Sequence, residues 1–313
     1  METRIRWPDG KRFAFTVFDD TDRTTLQNGP QIYQLLHELG MHTTKSVWPL
    51  KGKSIPRIGG ATCRDPEYLQ WICRLKGQGF EIGFHGAMYH TAKREETIEG
   101  IEAFRQWFGE YPSAMANHAD CEEGIYWGDA RLGGVNRLVY NLMTRNRNRG
   151  RFQGHVETSG LFWGDVCSEK IKYVRNFVYT DINTLKACPY MPYHDARRPY
   201  VKYWFAGSEG RNCSSFCRTI SESNLRRLEE EGGACIMYTH FGVPDFLENG
   251  RVNSRFRQLM TGLSQRPGWF VPVSTLLDHI QKERGRYTVS SWERMQLESR
   301  WLFDKTLKTR GIL

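Results

Sequence analysis

The chain has 313 residues, of which 39% are hydrophobic and 13% aromatic, and it carries a formal net charge of +9 at pH 7. This length can bury a large core in one domain or two. No run reaches the roughly 18 apolar residues that a membrane-spanning helix needs, and the first eight residues lack the apolar centre of a signal peptide, so we expect a cytoplasmic protein without a transmembrane segment.

The eight cysteines are scattered along the chain. Cys213 and Cys217 form a C-x3-C pair with no second pair, which is not the pattern of a zinc knuckle. Cysteines of proteins that are not exported are usually reduced. We therefore predict free thiols with mainly structural roles.

The first third of the chain alternates between predicted strands and helices. Short apolar runs bounded by turn residues predict strands, and apolar residues at helical spacing predict helices. In chain order these are a strand over Phe13–Phe18, a helix over Pro30–Gly40, a strand over Thr43–Val47, a helix over Pro66–Leu75, a strand over Phe80–Phe84 and a helix over Arg94–Phe108. This alternation favours a parallel sheet or a barrel.

The middle of the chain, about 111–220, is less regular and rich in Asn, Gly, Trp and Tyr. It contains a short echo, since Tyr126-Trp127-Gly128-Asp129 is similar to Phe162-Trp163-Gly164-Asp165. Four residues are too few to define a repeat. Trp127 and Trp163 are candidates for stacking on sugar rings, and packing in the core is the alternative.

Regular patterns return in the last third of the chain. They predict a helix over Ser223–Glu231, a strand over Ala234–Thr239, a helix over Ser254–Leu263, a strand over Trp269–Val273, a helix over Thr275–Glu283 and an amphipathic helix over Ser291–Lys308. No linker separates two domains. We expect one barrel domain over 1–284 and a helical extension over 285–313 that packs on the barrel or on a partner subunit, which leaves a homo-oligomer open.

Three predicted strands end in groups that can bind metals or carry protons. Asp19 and Asp20 follow the first strand, His85 and His90 follow the strand at Phe80–Phe84, and His240 follows the strand at Ala234–Thr239. Two imidazoles and one carboxylate form a common ligand set of catalytic zinc. Strands that run parallel bring such residues to one end of a fold. The pattern predicts a metal site at that end.

In their order and spacing these three motifs resemble the polysaccharide deacetylase family, which has the NodB homology domain and includes carbohydrate esterase family 4. The resemblance covers roughly residues 11–284. It implies an α/β fold, a distorted (β/α)7 barrel related to the TIM barrel. It also implies a metal-dependent hydrolase that removes N- or O-linked acetyl groups from sugars, although relatives cleave other C–N bonds.

The resemblance also implies a role for each motif residue. Asp19 would be the general base and His240 the general acid, while Asp20, His85 and His90 would hold a divalent metal ion. Zinc is the default, and Ni²⁺, Co²⁺ and Fe²⁺ also suit histidine and carboxylate ligands. The metal would lower the pKa of bound water to about 7.

The chain departs from the family pattern at two points. His85 and His90 are five residues apart, whereas the family places its two histidines four apart; a bulge at Gly86 would allow the longer spacing to converge. The arginine of the family's third motif is missing. Asn117 and His118 stand in that region as candidate substrate contacts, and His118 is also an alternative metal ligand.

Arginines at 145, 147, 149 and 151 alternate with Asn and Gly, which would suit a phosphate, an anionic lipid surface or nucleic acid, or simply a solvated loop. No nucleic-acid motif accompanies them, so no nucleic-acid partner is expected. Arg211 is a further candidate for binding an anionic substrate group. We predict an acetamido-sugar precursor, on an anionic carrier, as the substrate. The alternatives are hydrolysis of a non-sugar amide or imide, and a catalytically inactive carbohydrate-binding protein.

Overall fold

The structure is a computed structural model that describes residues 5–308. Its strands are β1 (Phe13–Asp19), β2 (Thr44–Val47), β3 (Glu81–Phe84), β4 (Ala114–Met115), β5 (Tyr173–Tyr179), β6 (Tyr193–His194), β7 (Tyr203–Glu209), β8 (Ala234–Thr239), β9 (Leu247–Glu248), β10 (Arg251–Val252), β11 (Gly268–Phe270) and β12 (Tyr287–Thr288).

The α-helices alternate with the strands over much of the chain. They are α1 (Gly29–Glu38), α2 (Pro66–Gly77), α3 (Arg94–Phe108), α4 (Gly134–Met143), α5 (Gly164–Lys170), α6 (Thr184–Ala187), α7 (Cys213–Thr219), α8 (Glu222–Glu231), α9 (Ser254–Ser264), α10 (Val273–Arg284) and α11 (Ser291–Lys308). None of the helices in residues 5–308 combines the length and the apolar character needed to cross a bilayer.

The parallel strands close into a ring. β1 pairs with β2, and the pairing continues through β3, β4, β5 and β7 to β8, which pairs with β1 again. β11 also pairs with β1 in parallel, outside the ring, at Phe13–Phe15. The ring contains seven parallel strands, so the predicted distorted (β/α)7 barrel is confirmed.

The strands of the ring are apolar because they are covered on both sides. All seven residues of β1 are buried, as expected for a parallel strand with side chains inside the barrel on one face and helices on the other. Helices α2 and α3 place Ile72 and Phe104 in the same core. β1, β3 and β8 lie where the apolar runs predicted them.

Three strands of the barrel, β4, β5 and β7, lie in the middle segment, where the sequence pattern predicted no regular elements. β5 and β7 are each seven residues long and pair over most of their length. The prediction failed here because β5 carries the polar residues Arg175 and Asn176, both buried, within its apolar pattern. Arg175 interrupts the apolar pattern because it pairs with the carboxylate of Asp20 across the barrel.

The end of the barrel sequence also differs in detail from the prediction. β11 ends at Phe270, and α10 already begins at Val273. The first turn of α10 is held by side chains of the neighbouring strands: Val273 N donates to Thr44 Oγ1 at 2.9 Å, and Ser274 N donates to Glu81 Oε2 at 3.1 Å. Hydrogen-bonded N–H groups stabilise the start of a helix. α10 therefore begins at Val273, before Thr275, where its apolar pattern predicted the start.

α11 confirms the predicted closing helix over Ser291–Lys308. It packs on the outside of β5, with the rings of Phe177 and Trp301 5.4 Å apart, and Tyr179 Oη donates to Leu297 O at 3.2 Å. The division into a barrel over 1–284 and an extension over 285–313 stays a prediction, and residues 309–313 lie outside the described part of the chain.

Candidate metal and acid–base site

The polar residues that follow β1, β3, β4 and β8 meet at the carboxyl ends of these strands. Parallel strands present these ends on one face of a barrel, where barrel enzymes carry their active sites. Three of the side chains converge on one point: Asp22, His85 and His118 offer ligand atoms that all lie within 4.8 Å of one another. Each of these side chains is buried.

The three converging atoms lack hydrogen-bond partners. Asp22 Oδ1 lies 3.0 Å from His118 Nε2 and 3.7 Å from His85 Nε2, but none of the three atoms makes a hydrogen bond of good geometry within the described residues. Buried polar atoms are costly unless they bind a partner. Two imidazole nitrogens and a carboxylate oxygen are donors that zinc and similar ions prefer, so this set fits a divalent metal ion.

The other ring nitrogens of the two histidines have neighbours that orient them. His85 Nδ1 lies 3.0 Å from the carbonyl oxygen of Ala116, which requires a proton on Nδ1 and leaves the lone pair of a neutral ring on Nε2. His118 Nδ1 lies 3.4 Å from Cys121 Sγ. A second contact of this kind is usual for histidines that bind metals, because it fixes the ring orientation.

Asp20 lies beside this cluster and is held by an arginine from the opposite side of the barrel. Arg175 Nη1 and Nη2 donate to Asp20 Oδ1 and Oδ2 at 2.8 and 2.6 Å. Burial alone would raise the pKa of Asp20, but the charge of Arg175 outweighs burial and lowers it. Asp20 is therefore an ionised carboxylate in a fixed orientation.

His240 faces both carboxylates from the end of β8. Its Nε2 lies 2.8 Å from Asp22 Oδ2 and 3.8 Å from Asp20 Oδ2, while Nδ1 lies 3.0 Å from the carbonyl oxygen of Arg211. Burial opposes a charge on His240, but contact with Asp22 and Asp20 raises its pKa to about 9. The ring therefore holds a proton that points into the site at neutral pH.

Asp19 lies away from this cluster and is surrounded by structural donors. Lys45 Nζ and Tyr33 Oη lie 3.0 and 2.9 Å from Asp19 Oδ2, and Phe241 N donates to Oδ1 at 2.8 Å. Burial raises the pKa of Asp19 despite the nearby charge of Lys45. These contacts join β1, β2 and α1 to the start of the loop after β8, and the role of general base stays a prediction for Asp19.

His90 does not reach the cluster. The chain turns sharply after β3 at Gly86, whose φ is +92°, and it continues as a loop that directs His90 elsewhere. Its Nε2 lies 3.4 Å from Ser54 N, and the ring packs against the backbone at Gly52, where a Cβ atom would lie 2.1 Å from Nε2. His118, the alternative ligand, occupies the position beside His85 instead.

The candidate substrate contacts have varied surroundings. Asn117 bonds the backbone of Ile125 through both side-chain atoms, at 2.8 and 3.1 Å. Trp163 is buried in the core and donates from Nε1 to Glu123 O at 2.7 Å. Trp127 is partly exposed, with the guanidinium of Arg131 3.6 Å from its ring centroid. The backbone carbonyl oxygen of Arg211 lies 3.0 Å from His240 Nδ1.

Asp22 and Arg175 were not among the site residues predicted from the sequence. Asp22 had a visible signal, because Asp19, Asp20 and Asp22 form an Asp-Asp-x-Asp motif after β1. Arg175 also had one, since it and Asn176 interrupt the apolar run between Tyr173 and Tyr179. Neither signal gives the partner across the barrel.

Comparison with known proteins finds similar solved structures. No family model and no curated protein matches the chain. Among solved structures, it is similar to a protein of Mycobacterium smegmatis assigned to the polysaccharide deacetylases (14% identity over 92% of this chain and 96% of the other, TM-score 0.49). It is also similar to Puue allantoinase (13%, 89% and 94%, TM-score 0.48) and to a probable polysaccharide deacetylase from Pseudomonas aeruginosa PAO1 (13%, 89% and 94%, TM-score 0.47).

Further similar solved structures are a peptidoglycan N-acetylglucosamine deacetylase and a polysaccharide deacetylase from Bacillus cereus. Fold and site together define a (β/α)7-barrel protein with a buried cluster of histidines and carboxylates at the carboxyl ends of its strands.

Proposed function

We propose that the protein is a metal-dependent hydrolase that removes an acetyl group from an acetamido sugar or a sugar-containing precursor, and so acts on a C–N bond other than a peptide bond. The observation that carries this proposal is the convergence of three unpartnered, buried ligand atoms, one each from Asp22, His85 and His118. An ionised carboxylate and a proton-bearing histidine flank them. Metal-assisted hydrolysis of an amide can use this combination of ligands, base and acid.

Asp22, His85 and His118 would hold the metal ion, with zinc as the default. When bound, such an ion polarises an acyl carbonyl and lowers the pKa of water to about 7. In this assignment the general base moves from Asp19 to Asp20, and the metal ligands from Asp20 and His90 to Asp22 and His118. Only His85 and His240 keep the roles that the resemblance implied.

Asp20 would accept the proton of the attacking water. Each carboxylate oxygen has two acceptor sites, and Arg175 takes one on each oxygen, so a second site on each stays open. Arg175 keeps the carboxylate ionised and prevents its rotation. It thus takes over the positioning role of the missing third-motif arginine, from a different strand of the barrel.

His240 would donate a proton to the departing amine. Its Nδ1 contact with Arg211 O fixes the ring so that Nε2 faces Asp20 and Asp22. A donor aimed at the position of the leaving group accelerates such a step by typically 10²–10⁴-fold. His240 is the most accessible member of the site, since 15% of its side chain is exposed, which suits contact with an incoming substrate.

The burial of the site supports a small acyl group as the part of the substrate that enters. Asp20 and His85 are almost fully buried, so a bulky polymer segment could not surround them. A sugar precursor with one acetamido group would present such a small acyl group, and the positive charge of the protein suits an anionic carrier. A cytoplasmic location stays a prediction.

Acetate release tests the proposal. The zinc-loaded protein should release acetate from nucleotide- or lipid-linked acetamido sugars. Asp20→Asn and His240→Gln, with folding checked by circular dichroism, should still bind sugar but lose turnover. Release of product only from non-sugar amides or imides would identify the alternative hydrolase. Sugar binding with no turnover in the wild type would identify a binding protein and contradict the proposal.

A further inference from the structure

Helix α4 exposes its apolar face. Helices on a protein surface usually turn apolar residues inward and polar ones outward. In α4 the inward residues include Tyr140 and Asn141. The outward face consists of four aliphatic residues at helical spacing, with relative exposures of 39–74%: Val135, Leu138, Val139 and Leu142.

The neighbouring helix α11 extends this apolar surface. Trp292, Met295 and Phe303 are exposed on it, by 62%, 41% and 62%. Asn136 of α4 joins the two helices, because its side chain donates to Met295 O at 3.2 Å and accepts from Ser299 Oγ at 3.0 Å. Seven of the ten exposed large hydrophobic side chains among the described residues therefore belong to two helices in contact. We call these seven residues the α4–α11 patch.

A strongly basic loop follows the patch. Residues 130–156 contain six arginines and no acidic residue. Arg137 pairs with Asp129 at 2.8 Å, and Arg151 lies 3.4 Å from Glu122. Arg145, Arg147 and Arg149 are exposed, and within residues 5–308 no carboxylate forms an ion pair with them. Their charges are thus available to an anionic partner next to the apolar surface.

We propose that the α4–α11 patch and the loop that carries Arg145, Arg147 and Arg149 dock the protein on the surface of an anionic lipid bilayer. An exposed apolar helix face beside arginines is the combination by which helices bind in the plane of a bilayer surface. Anionic headgroups attract such basic segments. A second copy of the chain fits less well. Neither α4 nor the loop after it carries an acidic residue to meet the partner's arginines, and the acidic residues of α11 are bonded within the chain, Glu293 to Tyr287, Glu298 to Arg198 and Asp304 to Thr180.

This proposal does not depend on the hydrolase, because its readout involves no turnover. It is tested by sedimentation with vesicles of phosphatidylglycerol and phosphatidylcholine, and with vesicles of phosphatidylcholine alone. The wild type should sediment with the anionic vesicles and stay in solution with the neutral ones. Leu138→Glu/Leu142→Glu should abolish sedimentation. Replacement of Arg145, Arg147 and Arg149 by Gln should weaken it at least several-fold and remove its dependence on salt, since exposed charges are screened by ions.

Matched controls lie elsewhere on the surface. Ile55→Glu changes an exposed aliphatic residue (97% exposed) outside the patch, and replacement of Arg226, Arg251 and Arg257 by Gln removes three other exposed charges. Both controls should bind like the wild type. A wild type that stays in solution with anionic vesicles would overturn the proposal. So would a concentration-dependent dimer that Leu138→Glu/Leu142→Glu dissociates without any vesicle binding, or controls that weaken binding as much as the patch variants do.

Discussion

Replacing Arg175 with methionine tests the buried ion pair that holds Asp20. The two side chains are only 3% and 4% exposed, and two hydrogen bonds join them. Removing one partner of a buried ion pair leaves an uncompensated charge and costs about 3–5 kcal/mol. We therefore expect Arg175→Met to lower the free energy of unfolding by about this amount.

The double variant Arg175→Met/Asp20→Asn separates the charge effect from the loss of packing. It leaves neither charge unpaired, so it should be more stable than Arg175→Met, with a coupling free energy between the two sites of about 1–3 kcal/mol. Arg57→Met is the matched control, since Arg57 also makes two hydrogen bonds to one carboxylate, that of Asp120, but is 74% exposed. An exposed pair of this kind contributes about 0–1 kcal/mol.

Urea unfolding at pH 7, followed by tryptophan fluorescence and circular dichroism on chelator-treated protein, measures these differences. The slope of the transition should stay constant among the variants, so that the midpoints report stability. If Arg175→Met and Arg57→Met destabilise the protein equally, or if the double variant is no more stable than Arg175→Met, the reasoning about Asp20 is refuted.

Two further predictions concern other carboxylates. Asp19→Asn should lower the free energy of unfolding by about 3–5 kcal/mol because it leaves buried Lys45 without its partner, yet folded Asp19→Asn should keep turnover; loss of turnover with unchanged stability would make Asp19 the base. Burial raises the pKa of Glu123 from 4.5 to about 8. Between these two pH values the folded state binds more protons than the unfolded state, so the stability of the protein falls as pH rises. Glu123→Gln should therefore flatten the decrease in Tm between about pH 5 and pH 8, and an unchanged profile would count against a buried, protonated Glu123.

The fold was predictable to the extent that strands are apolar and end in recognisable polar residues. β1 and β8 are buried over nearly their whole length, and their ends at Asp19 and Thr239 were visible in the sequence. β4 is two residues long, which is too short for an apolar pattern. The sequence therefore did not show that a strand end delivers His118 to the site.

The site was only partly predictable, because its contacts cross the barrel. The pairing of Arg175 with Asp20 spans 155 residues, and no local pattern encodes such a partner. The choice between His90 and His118 depends on the backbone turn at Gly86, which the spacing of the histidines does not define. The family resemblance implied the residue types of the site, but only the structure shows which Asp and His residues lie together.

The metal content of three proteins tests the central claim most directly. Elemental analysis should find close to one divalent metal ion per chain in the zinc-supplied wild type and in His90→Ala, and almost none in His118→Ala. His90 and His118 are matched, because each follows a strand of the barrel and each was a candidate ligand. Metal retained in His118→Ala but lost in His90→Ala, or a wild type that binds no metal, would contradict the site formed by Asp22, His85 and His118.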